Sequence, residues 1–386
     1  MKIERIQTFL VAPRWIFVRI DADGLTGWGE SIVPKRALAV IGAVQDLARN
    51  IVGEDPRRIE DLRQRMYRGS FYRGGPVLAT AIAGIEQALW DIKGKMLGVP
   101  IYEFLGGLAR DRVRAYAWVG GDQPDHVVEQ VAERMADGYT AVKMNVSGAM
   151  HYLDSFDKVK AAADRVKAVR EAYGDAVDIA VDFHGRVHRA MAKMLIQALV
   201  PYHLMFIEEP LLEECNELVH GGVFDRSIPI ATGERLYTRW DFKTLLGESA
   251  VDIIQPDISF TGIHELEKIA RMAEAHDVAV APHCPNGPIS LAATLQADAC
   301  LPNVVIQEHS AGMHYHTGYH GLPSADLWAY LTDPDLLRVN EGFLYPPQGP
   351  GLGIGLDEER IGKSAETGWE LRDVIWRNAD GTVAEW

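Results

Sequence analysis

The chain has 386 residues, of which 47% are hydrophobic and 24% are charged, and its formal net charge at neutral pH is −15. This length predicts two domains, and the composition is typical of a soluble globular protein. The acidic balance argues against a nucleic-acid partner, because phosphate-binding surfaces need dense Lys and Arg. An acidic protein that binds an anionic substrate must create positive charge locally, which a metal ion in the pocket would do.

Neither a membrane span nor a secretion signal is predicted. The apolar stretch PVLATAIAGI ends at Glu86 and is too short to cross a bilayer. The first residues, MKIERIQTFLVAPRW, alternate like a β-strand and lack the pattern of a signal peptide. The three cysteines, Cys215, Cys284 and Cys300, show no paired spacing and suit a reducing compartment. We therefore expect a cytoplasmic protein without a membrane partner.

The N-terminal third predicts a small mixed domain. Residues 3–33 alternate in the manner of a three-stranded β-meander. Helical periodicity follows in 37–51, in 56–68 and in 76–97. A meander followed by helices predicts an α+β domain over residues 1–112.

From Val113 the pattern changes to strands and helices in alternation. Strands are predicted at 114–119, 140–146, 178–184, 204–209, 228–234, 252–258, 278–284 and 304–309. Among the helices between them, 154–173 has the clearest apolar face. Eight strands with short connections favour a closed (β/α) barrel, the α/β class, over residues 113–318. The Gly- and Pro-rich remainder, 319–386, is expected to pack back onto the first domain.

Three acidic residues end three successive predicted strands at equal intervals of 26 residues: Asp182, Glu208 and Glu234. In a (β/α) barrel such strand ends converge on one mouth. Three carboxylates in one mouth repel each other unless a cation lies between them, and oxygen ligands favour Mg²⁺. The alternative is that each residue merely caps the helix that follows. The regular spacing favours one Mg²⁺ per site.

Other polar residues lie at the ends of the same predicted strands. Residues i and i+2 of a strand share a face, which pairs Lys143 with Asn145, Asp182 with His184, and Gln255 with Asp257, while His283 and Glu308 end the last two strands. Titratable groups of these types at consecutive strand ends favour a catalytic site over structural roles.

These groups suit the removal of a proton next to a carboxylate. The gap between such a C–H and an imidazole is on the order of 20 pKa units, roughly 27 kcal/mol. A general base alone accelerates proton removal by about 10²–10⁴-fold. Most of this energy gap must therefore be closed by stabilising the enediolate, which Mg²⁺ can do. In this scheme His283 is the base, Asp257 orients it, and Glu308 stabilises the enediolate. His184 is then free to act as the acid on a leaving hydroxyl, which makes the reaction a dehydration.

Several motifs resemble the enolase superfamily, mandelate racemase subgroup, along the full chain. They are FYRGGP, IAGIEQALWDIKGK, WVGGD, DFHGR, FIEEP, GERLYTRWDFK, QPDIS, APHCPNGPI, GMHY and the terminal VAEW. The resemblance implies an α+β capping domain, a modified TIM barrel of (β/α)₇β form, and a C-terminal segment that returns to the cap. It implies the same roles: Asp182, Glu208 and Glu234 as Mg²⁺ ligands, and His283, Asp257, His184 and Glu308 in catalysis.

Within that subgroup the motifs are most similar to the sugar-acid dehydratases of the galactonate type. This implies dehydration of D-galactonate to 2-dehydro-3-deoxy-D-galactonate, a sugar acid as the small-molecule partner, and a homo-oligomer. Racemases of the subgroup carry Lys-x-Lys, whose second Lys is a base on the face opposite the His. This chain has Lys143-Met144-Asn145 instead, which disfavours proton exchange on both faces of the substrate. Asn145 and Lys143 are expected to contact substrate, although a buried ion pair for Lys143 fits the sequence equally well.

Other functions remain compatible with the sequence. The segment ISFTGIHE after the sixth strand and the loop IVPKRA after GWGES differ from the galactonate enzymes. A dehydratase of gluconate or a pentonate is therefore the main alternative. A racemase or epimerase, or a non-catalytic protein on the same scaffold, is a further one.

Overall fold

The computed structural model describes residues 1–120, 126–215, 227–248, 251–313, 316, 324–367 and 375–385. In these residues the chain forms a three-stranded antiparallel sheet and a larger, mainly parallel sheet. No helix in these residues combines the length and the apolar character needed to cross a membrane.

The N-terminal sheet and its helices match the predicted order. The strands are β1 (Ile3–Val11), β2 (Trp15–Ala22) and β3 (Leu25–Ser31), and the helices are α1 (Ala37–Ala48), α2 (Ile59–Arg68) and α3 (Pro76–Leu97). The meander and the three helices are thus confirmed. Helix α2 begins three residues later than predicted. The reason is a turn in which the Asp55 carboxylate accepts a hydrogen bond from the backbone N–H of Arg57 at 3.0 Å.

Helix α3 packs across β3 at backbone-to-backbone distance. A Cβ atom at Gly29 would lie 1.9 Å from the carbonyl oxygen of Gly84, and one at Gly27 would lie 2.1 Å from that of Ala88. Only glycine fits at such a contact, since interiors are packed to crystal-like density. The loop after β3 is thereby held beside the barrel, where it contributes Ile32 and Pro34 to the cavity described below.

The predicted barrel is confirmed. Its parallel strands are β4 (Val113–Val119), β5 (Ala141–Asn145), β6 (Asp178–Asp182), β7 (Ile207–Glu208), β8 (Ile230–Thr232), β9 (Ile253–Ile254), β10 (Ala279–Val280) and β11 (Gln307–His309). Neighbouring strands pair in chain order from β4 to β10, and β11 pairs with β4. A parallel bridge between Val280 and Val304 closes the circle. Most strands are shorter than predicted, and Glu234, Asp257 and His283 lie after the last residue of β8, β9 and β10.

One layer of side chains fills the barrel below its C-terminal mouth. It is a buried cluster with one residue from each strand or the position next to it: Tyr116, Ala141, Ala180, Phe206, Ala231, Ile253, Ala281 and Ile306. Tyr116 and Phe206 meet edge to face with ring centroids 6.0 Å apart. The interior is therefore a packed core, and the open space lies at the C-terminal ends of the strands.

Six helices lie between the strands in the described residues. They are α4 (Val127–Ala136), α5 (Phe156–Tyr173), α6 (Arg189–Leu199), α7 (Arg239–Gly247), α8 (Ile258–Ala275) and α9 (Pro288–Asp298). Helix α5 confirms the predicted 154–173 and starts after Ser155, whose hydroxyl accepts a hydrogen bond from the backbone N–H of Asp157. Helix α8 starts after Asp257, which caps it in the same way.

The C-terminal part contacts both the barrel and the N-terminal sheet. Strand β12 (Phe343–Leu344) pairs antiparallel with β4, and helix α10 (Glu358–Glu366) packs against β1. The Tyr330 hydroxyl donates a hydrogen bond to the backbone oxygen of Ala12 at 2.8 Å. Farther along, the ring of Trp376 lies 4.5 Å from the guanidinium of Arg186, beside the barrel. The predicted boundary between 318 and 319 falls outside the described residues.

Candidate active site

A cavity of about 240 Å³ opens at the C-terminal mouth of the barrel. Six of the residues selected from the sequence line it: Asn145, Asp182, His184, Glu234, Asp257 and His283. The other three, Lys143, Glu208 and Glu308, are completely buried beside it. The strand ends thus bring all nine residues into one region, although only six face the open space.

The acidic residues lie side by side because the strands pair in register. Asp182 is aligned with Glu208 across β6 and β7. Potential ligand atoms of Glu208, Glu234 and His283 all lie within 4.8 Å of one another, and this group does not include Asp182. The predicted trio is therefore close in space, but the tightest group found among the described residues has His283 in place of Asp182.

The charges of this acidic group are only partly compensated. Burial and the Glu208 carboxylate raise the pKa of Asp182 well above its usual range. Burial likewise raises the pKa of Glu234 to about 7. One oxygen of Asp182 and one of Glu234 are buried and accept no hydrogen bond, although the Glu234 oxygen lies within ion-pair distance of His283. Buried carboxylate oxygens without donors are costly unless a cation compensates them, so the donor set fits a hard divalent ion.

Lys143 supplies a fixed positive charge beneath the cavity. Its ammonium lies 2.6 and 2.7 Å from the two oxygens of Glu208 and 3.0 Å from Oε1 of Glu308. Burial lowers the pKa of Lys143, but these two carboxylates outweigh it and raise the pKa well above the usual value. Gln255 also donates to Glu208. The buried ion pair that the sequence allowed for Lys143 is present in the structure, and a direct contact with substrate stays a prediction.

His283 is held between two carboxylates. Its Nδ1 donates to Oδ2 of Asp257 at 2.8 Å, and its Nε2 lies 3.3 Å from Oε2 of Glu234. Burial lowers the pKa of His283, but the charges of Glu234 and Glu308 and the hydrogen bond to Asp257 raise it to about 10. The Asp257 contact leaves Nε2 as the atom that can exchange a proton with a bound molecule.

His184 reaches the cavity by a different route from the one expected. Strand β6 ends at Asp182, and His184 has a left-handed backbone with φ of 53°. Its backbone N–H donates to Oδ1 of Asp182 at 2.6 Å. The expectation that the strand continues through residue 184 is therefore wrong. A turn held by the Asp182 carboxylate places the His184 imidazole in the cavity lining instead.

Glu308 is fixed by three donors. Its Oε1 accepts hydrogen bonds from the Trp118 indole and the Lys143 ammonium, and its Oε2 accepts one from the backbone N–H of Cys284 at 2.7 Å. Burial raises the pKa of Glu308, but the charges of Lys143 and His283 outweigh it and lower the pKa below its usual value. Glu308 is thus a hydrogen-bond acceptor in all three contacts.

Sequence reasoning missed several residues of this site. Trp118 is aligned with Lys143 across β4 and β5, so the register of the first two barrel strands could have indicated it. The cavity lining also includes Arg14 from the β1–β2 turn, whose guanidinium donates to the backbone oxygen of Pro285 at 3.0 Å. Nothing in the local pattern of the capping strands indicates that Arg14 points toward the barrel.

A second missed feature is the ion pair between Glu209 and Arg235. Each residue directly follows a predicted metal ligand, and Arg235 lines the cavity. The hydroxyl of Thr232 donates to Glu209 at 2.6 Å. The pair therefore ties the ends of β7 and β8 together, next to Glu208 and Glu234.

An antiparallel capping sheet, a parallel barrel, and carboxylates with two imidazoles at the barrel mouth define an enolase-type protein. Two family models match the chain. "Mandelate racemase / muconate lactonizing enzyme, N-terminal domain" matches residues 7–106, and "Enolase C-terminal domain-like" matches residues 126–360. The chain belongs to the mandelate racemase/muconate lactonizing enzyme family of the enolase superfamily.

Curated relatives match over the full length of both chains. One from Ralstonia nicotianae and one from Variovorax paradoxus, both named D-galactonate dehydratase, are each 49% identical over 388 residues, with 100% of each chain covered. A crystal structure of a "putative galactarate dehydratase" from Agrobacterium radiobacter, with sodium and L-malate bound, has a TM-score of 0.88 at 31% identity and 100% coverage of both chains. A "putative dehydratase" from Mesorhizobium loti has a TM-score of 0.86 at 34% identity, covering 94% of this chain and 98% of its own.

Proposed function

We propose that this chain is a Mg²⁺-dependent hydro-lyase that converts D-galactonate to 2-dehydro-3-deoxy-D-galactonate. The observation that carries the proposal is the cavity in which His283, backed by Asp257, shares a lining with His184, Asp182 and Glu234. Full-length relatives named D-galactonate dehydratase support the choice of substrate. Galactonate is a monoanion, and the buried Lys143 and a bound cation would both favour its carboxylate in an otherwise acidic protein.

Asp182, Glu208 and Glu234 would hold the Mg²⁺ ion. Their fit rests on the buried oxygens of Asp182 and Glu234 that accept no hydrogen bond, and on the register that sets Asp182 beside Glu208. Mg²⁺, when bound, supplies positive charge that offsets the carboxylates around His283 and stabilises the charge developing on the substrate carboxylate. Lys143 and Gln255 fix the orientation of the Glu208 carboxylate.

We assign removal of the C2 proton to His283. Its Nδ1–H is committed to Asp257, so Nε2 is the atom that would accept the proton once a bound cation offsets the carboxylate charges that raise the pKa of His283. Asp257 then stabilises the imidazolium that forms. A general base of this kind accelerates a reaction by about 10²–10⁴-fold.

His184 donates a proton to the departing 3-hydroxyl group. The C2–H electron pair becomes the C2–C3 double bond, the C3–O bond breaks, and the hydroxyl leaves as water with the His184 proton. The resulting enol then tautomerises to the 2-keto acid. His184 lines the same cavity as His283, so each imidazole can serve a different step.

Glu308 accepts hydrogen bonds from Trp118 and Lys143 beneath the cavity. The charges of Lys143 and His283 lower its pKa despite burial. We propose that Glu308 stabilises the enediolate by fixing the position of the Lys143 charge.

Asn145 takes the position where a second basic residue would permit proton exchange on the opposite face. An amide cannot accept a proton at neutral pH, which disfavours racemisation. Asn145 lines the cavity and is proposed to hydrogen-bond the substrate.

A panel of sugar acids tests the function. Purified protein is incubated with Mg²⁺ and D-galactonate, D-gluconate, galactarate or a pentonate, and 2-keto-3-deoxy acid is assayed, with a chelator as the control. We expect product from galactonate in the Mg²⁺ samples and none with chelator. Turnover of another acid alone would change the substrate and keep the mechanism. No product from any of them would overturn the proposal.

The remaining proposals concern location, assembly and domain limits. Three free cysteines support a reducing, cytoplasmic location. The homo-oligomer rests on the family resemblance. The division into 1–112, 113–318 and 319–386 rests on the sequence pattern, which changes at Val113 from a meander with helices to alternating strands and helices. We propose the breakdown of sugar acids as the metabolic context.

A further inference from the structure

Asn286 lies against the residue that orients the base. Its side-chain amide Nδ2 is 3.1 and 3.0 Å from the two oxygens of Asp257 and 2.8 Å from the hydroxyl of Ser259. It is 2% exposed and lines the active-site cavity. The two hydrogens of this amide are therefore shared between the Asp257 carboxylate and one hydroxyl acceptor.

The Asp257 carboxylate needs such a contact in order to face His283 in one orientation. Rotation about the last side-chain bond of Asp has broad minima, so packing alone does not fix it. Oδ1 accepts from the backbone N–H of Ser259 at 2.7 Å, and Oδ2 accepts from Nδ1 of His283 at 2.8 Å. Asn286 bridges both oxygens from another direction and thereby fixes the plane of the carboxylate.

The capping domain holds the Asn286 loop in place. Glu30, at the end of β3, accepts hydrogen bonds from the backbone N–H groups of Gly287 at 2.6 Å and Ser290 at 3.0 Å. These groups belong to the N-terminus of α9, which follows Asn286 directly. The hydroxyls of Ser290 and Ser259 are 2.9 Å apart. A buried network thus runs from the capping sheet to the partner of the base.

We propose that Asn286 is a positioning residue for catalysis: it fixes the Asp257 carboxylate so that His283 presents Nε2 to the substrate. This inference rests on the proposed function for its kinetic consequence, but the geometry it describes exists without substrate. Because Asn286 acts on the base only through Asp257, its loss should slow the chemical step and leave substrate binding nearly unchanged.

Replacement of Asn286 by Leu keeps the shape and removes the amide. We expect kcat to fall by about 10- to 100-fold, as for other hydrogen-bond partners that orient a functional histidine, with KM changed by less than about twofold. The control is Asn303→Leu, which removes a half-buried amide bonded to the backbone oxygens of Ala270 and Val278 and outside the cavity lining. The control should keep kcat even where its stability falls. An unchanged kcat in Asn286→Leu, or an equal loss in the control, would overturn the proposal.

A second measurement does not depend on substrate. In metal-free protein with ¹⁵N-labelled histidine, the Nδ1–H of His283 should give a downfield resonance, identified by its absence in His283→Asn. We expect this signal to broaden or disappear in Asn286→Leu and to remain in Asn303→Leu. Should Asn286→Leu fail to fold, Asn286→Ser, which is too short to reach Asp257, takes its place. An unaltered signal overturns the positioning role, whereas inactivity of the wild type toward every sugar acid overturns only the proposed function.

Discussion

The ammonium of Lys143 lies within hydrogen-bond distance of both carboxylate oxygens of Glu208, at 2.6 and 2.7 Å, and both side chains are completely buried. The same ammonium reaches Glu308 at 3.0 Å. One buried cation therefore compensates two buried anions at the base of the cavity.

Replacing Lys143 by Met should destabilise the metal-free protein strongly. The substitution leaves Glu208 and Glu308 as uncompensated buried charges, which typically costs about 3–5 kcal/mol. Chemical denaturation at neutral pH in the presence of chelator measures the change in the free energy of unfolding. Lys160→Met is the control, because Lys160 pairs with Asp164 at the surface and its loss should matter little. Equal stability of the two variants would contradict the role assigned to Lys143.

The strand ends of the site can be predicted from the sequence because the period of two and the spacing of βα units are local properties. Asp182, Glu208 and Glu234 are identified in this way, and they do lie together. The contact between Trp118 and Glu308 cannot be predicted so easily. These residues are 190 positions apart and become neighbours only when β11 closes the barrel against β4.

His184 shows a different limit. The strand rule places it on the same face as Asp182, and it does line the cavity with Asp182. However, the strand ends at Asp182, and a left-handed turn positions His184. The strand rule thus correctly places His184 at the cavity, but it assigns to a strand a residue that lies in a turn. The sequence does not indicate Asn286, because it lies in the loop between β10 and α9, where the period of two along a strand no longer applies.

Two glycine substitutions should change the stability of the protein in opposite directions, one at the contact between α3 and β3 and one at an open position of α1. Gly29→Ala places a Cβ 1.9 Å from the backbone oxygen of Gly84, so the helix must move and stability should fall by about 1–3 kcal/mol or more. Gly42 lies in α1, and a Cβ added there would meet no atom within 4 Å, so Gly42→Ala should stabilise the protein by about 1 kcal/mol. Thermal unfolding of both variants checks the pair. A stable Gly29→Ala protein would show that α3 does not pack at backbone distance.

Asp298 predicts a pH-dependent stability. It is completely buried on α9, and neither carboxylate oxygen accepts a hydrogen bond. Burial raises the pKa of Asp298 well above its usual value, and the charge of Arg110 offsets only part of this. The folded protein therefore keeps a proton that the unfolded chain loses near pH ~4. The stabilisation from this group is complete below that pH and is lost as the pH rises toward the pKa of the folded state.

Asp298→Asn should remove the loss of stability that ionisation of Asp298 causes as the pH rises. The free energy of unfolding of the wild type is expected to fall, relative to the variant, by about 1.4 kcal/mol per pH unit above pH ~4 until the folded pKa is reached. Urea denaturation of both proteins at pH 5, 6 and 7 measures the difference. Asp111→Asn, at an exposed position, is the control and should run parallel to the wild type. Parallel curves for Asp298→Asn as well would mean that the carboxyl ionises freely in the folded protein.

The two imidazoles of the site predict a separation of steps. His283→Asn should lose both dehydration and exchange of the C2 proton, because the base that accepts this proton at Nε2 is gone. In His184→Asn the rate of dehydration should fall by about 10²–10⁴-fold. The C2 proton should still exchange, since only the departure of the hydroxyl needs the acid. Both are measured with galactonate and Mg²⁺ in D₂O, by the assay for 2-keto-3-deoxy acid and by NMR of the recovered substrate.

A control from the same loop makes this test specific. His188 follows His184 by four residues and stacks on Tyr152 with ring centroids 3.8 Å apart, outside the cavity lining. His188→Asn should therefore dehydrate at the wild-type rate within about twofold, which separates damage to the loop from loss of the acid. If exchange and dehydration disappear together in His184→Asn while His188→Asn stays active, then His184 takes part in the first proton transfer and the division of roles is incorrect.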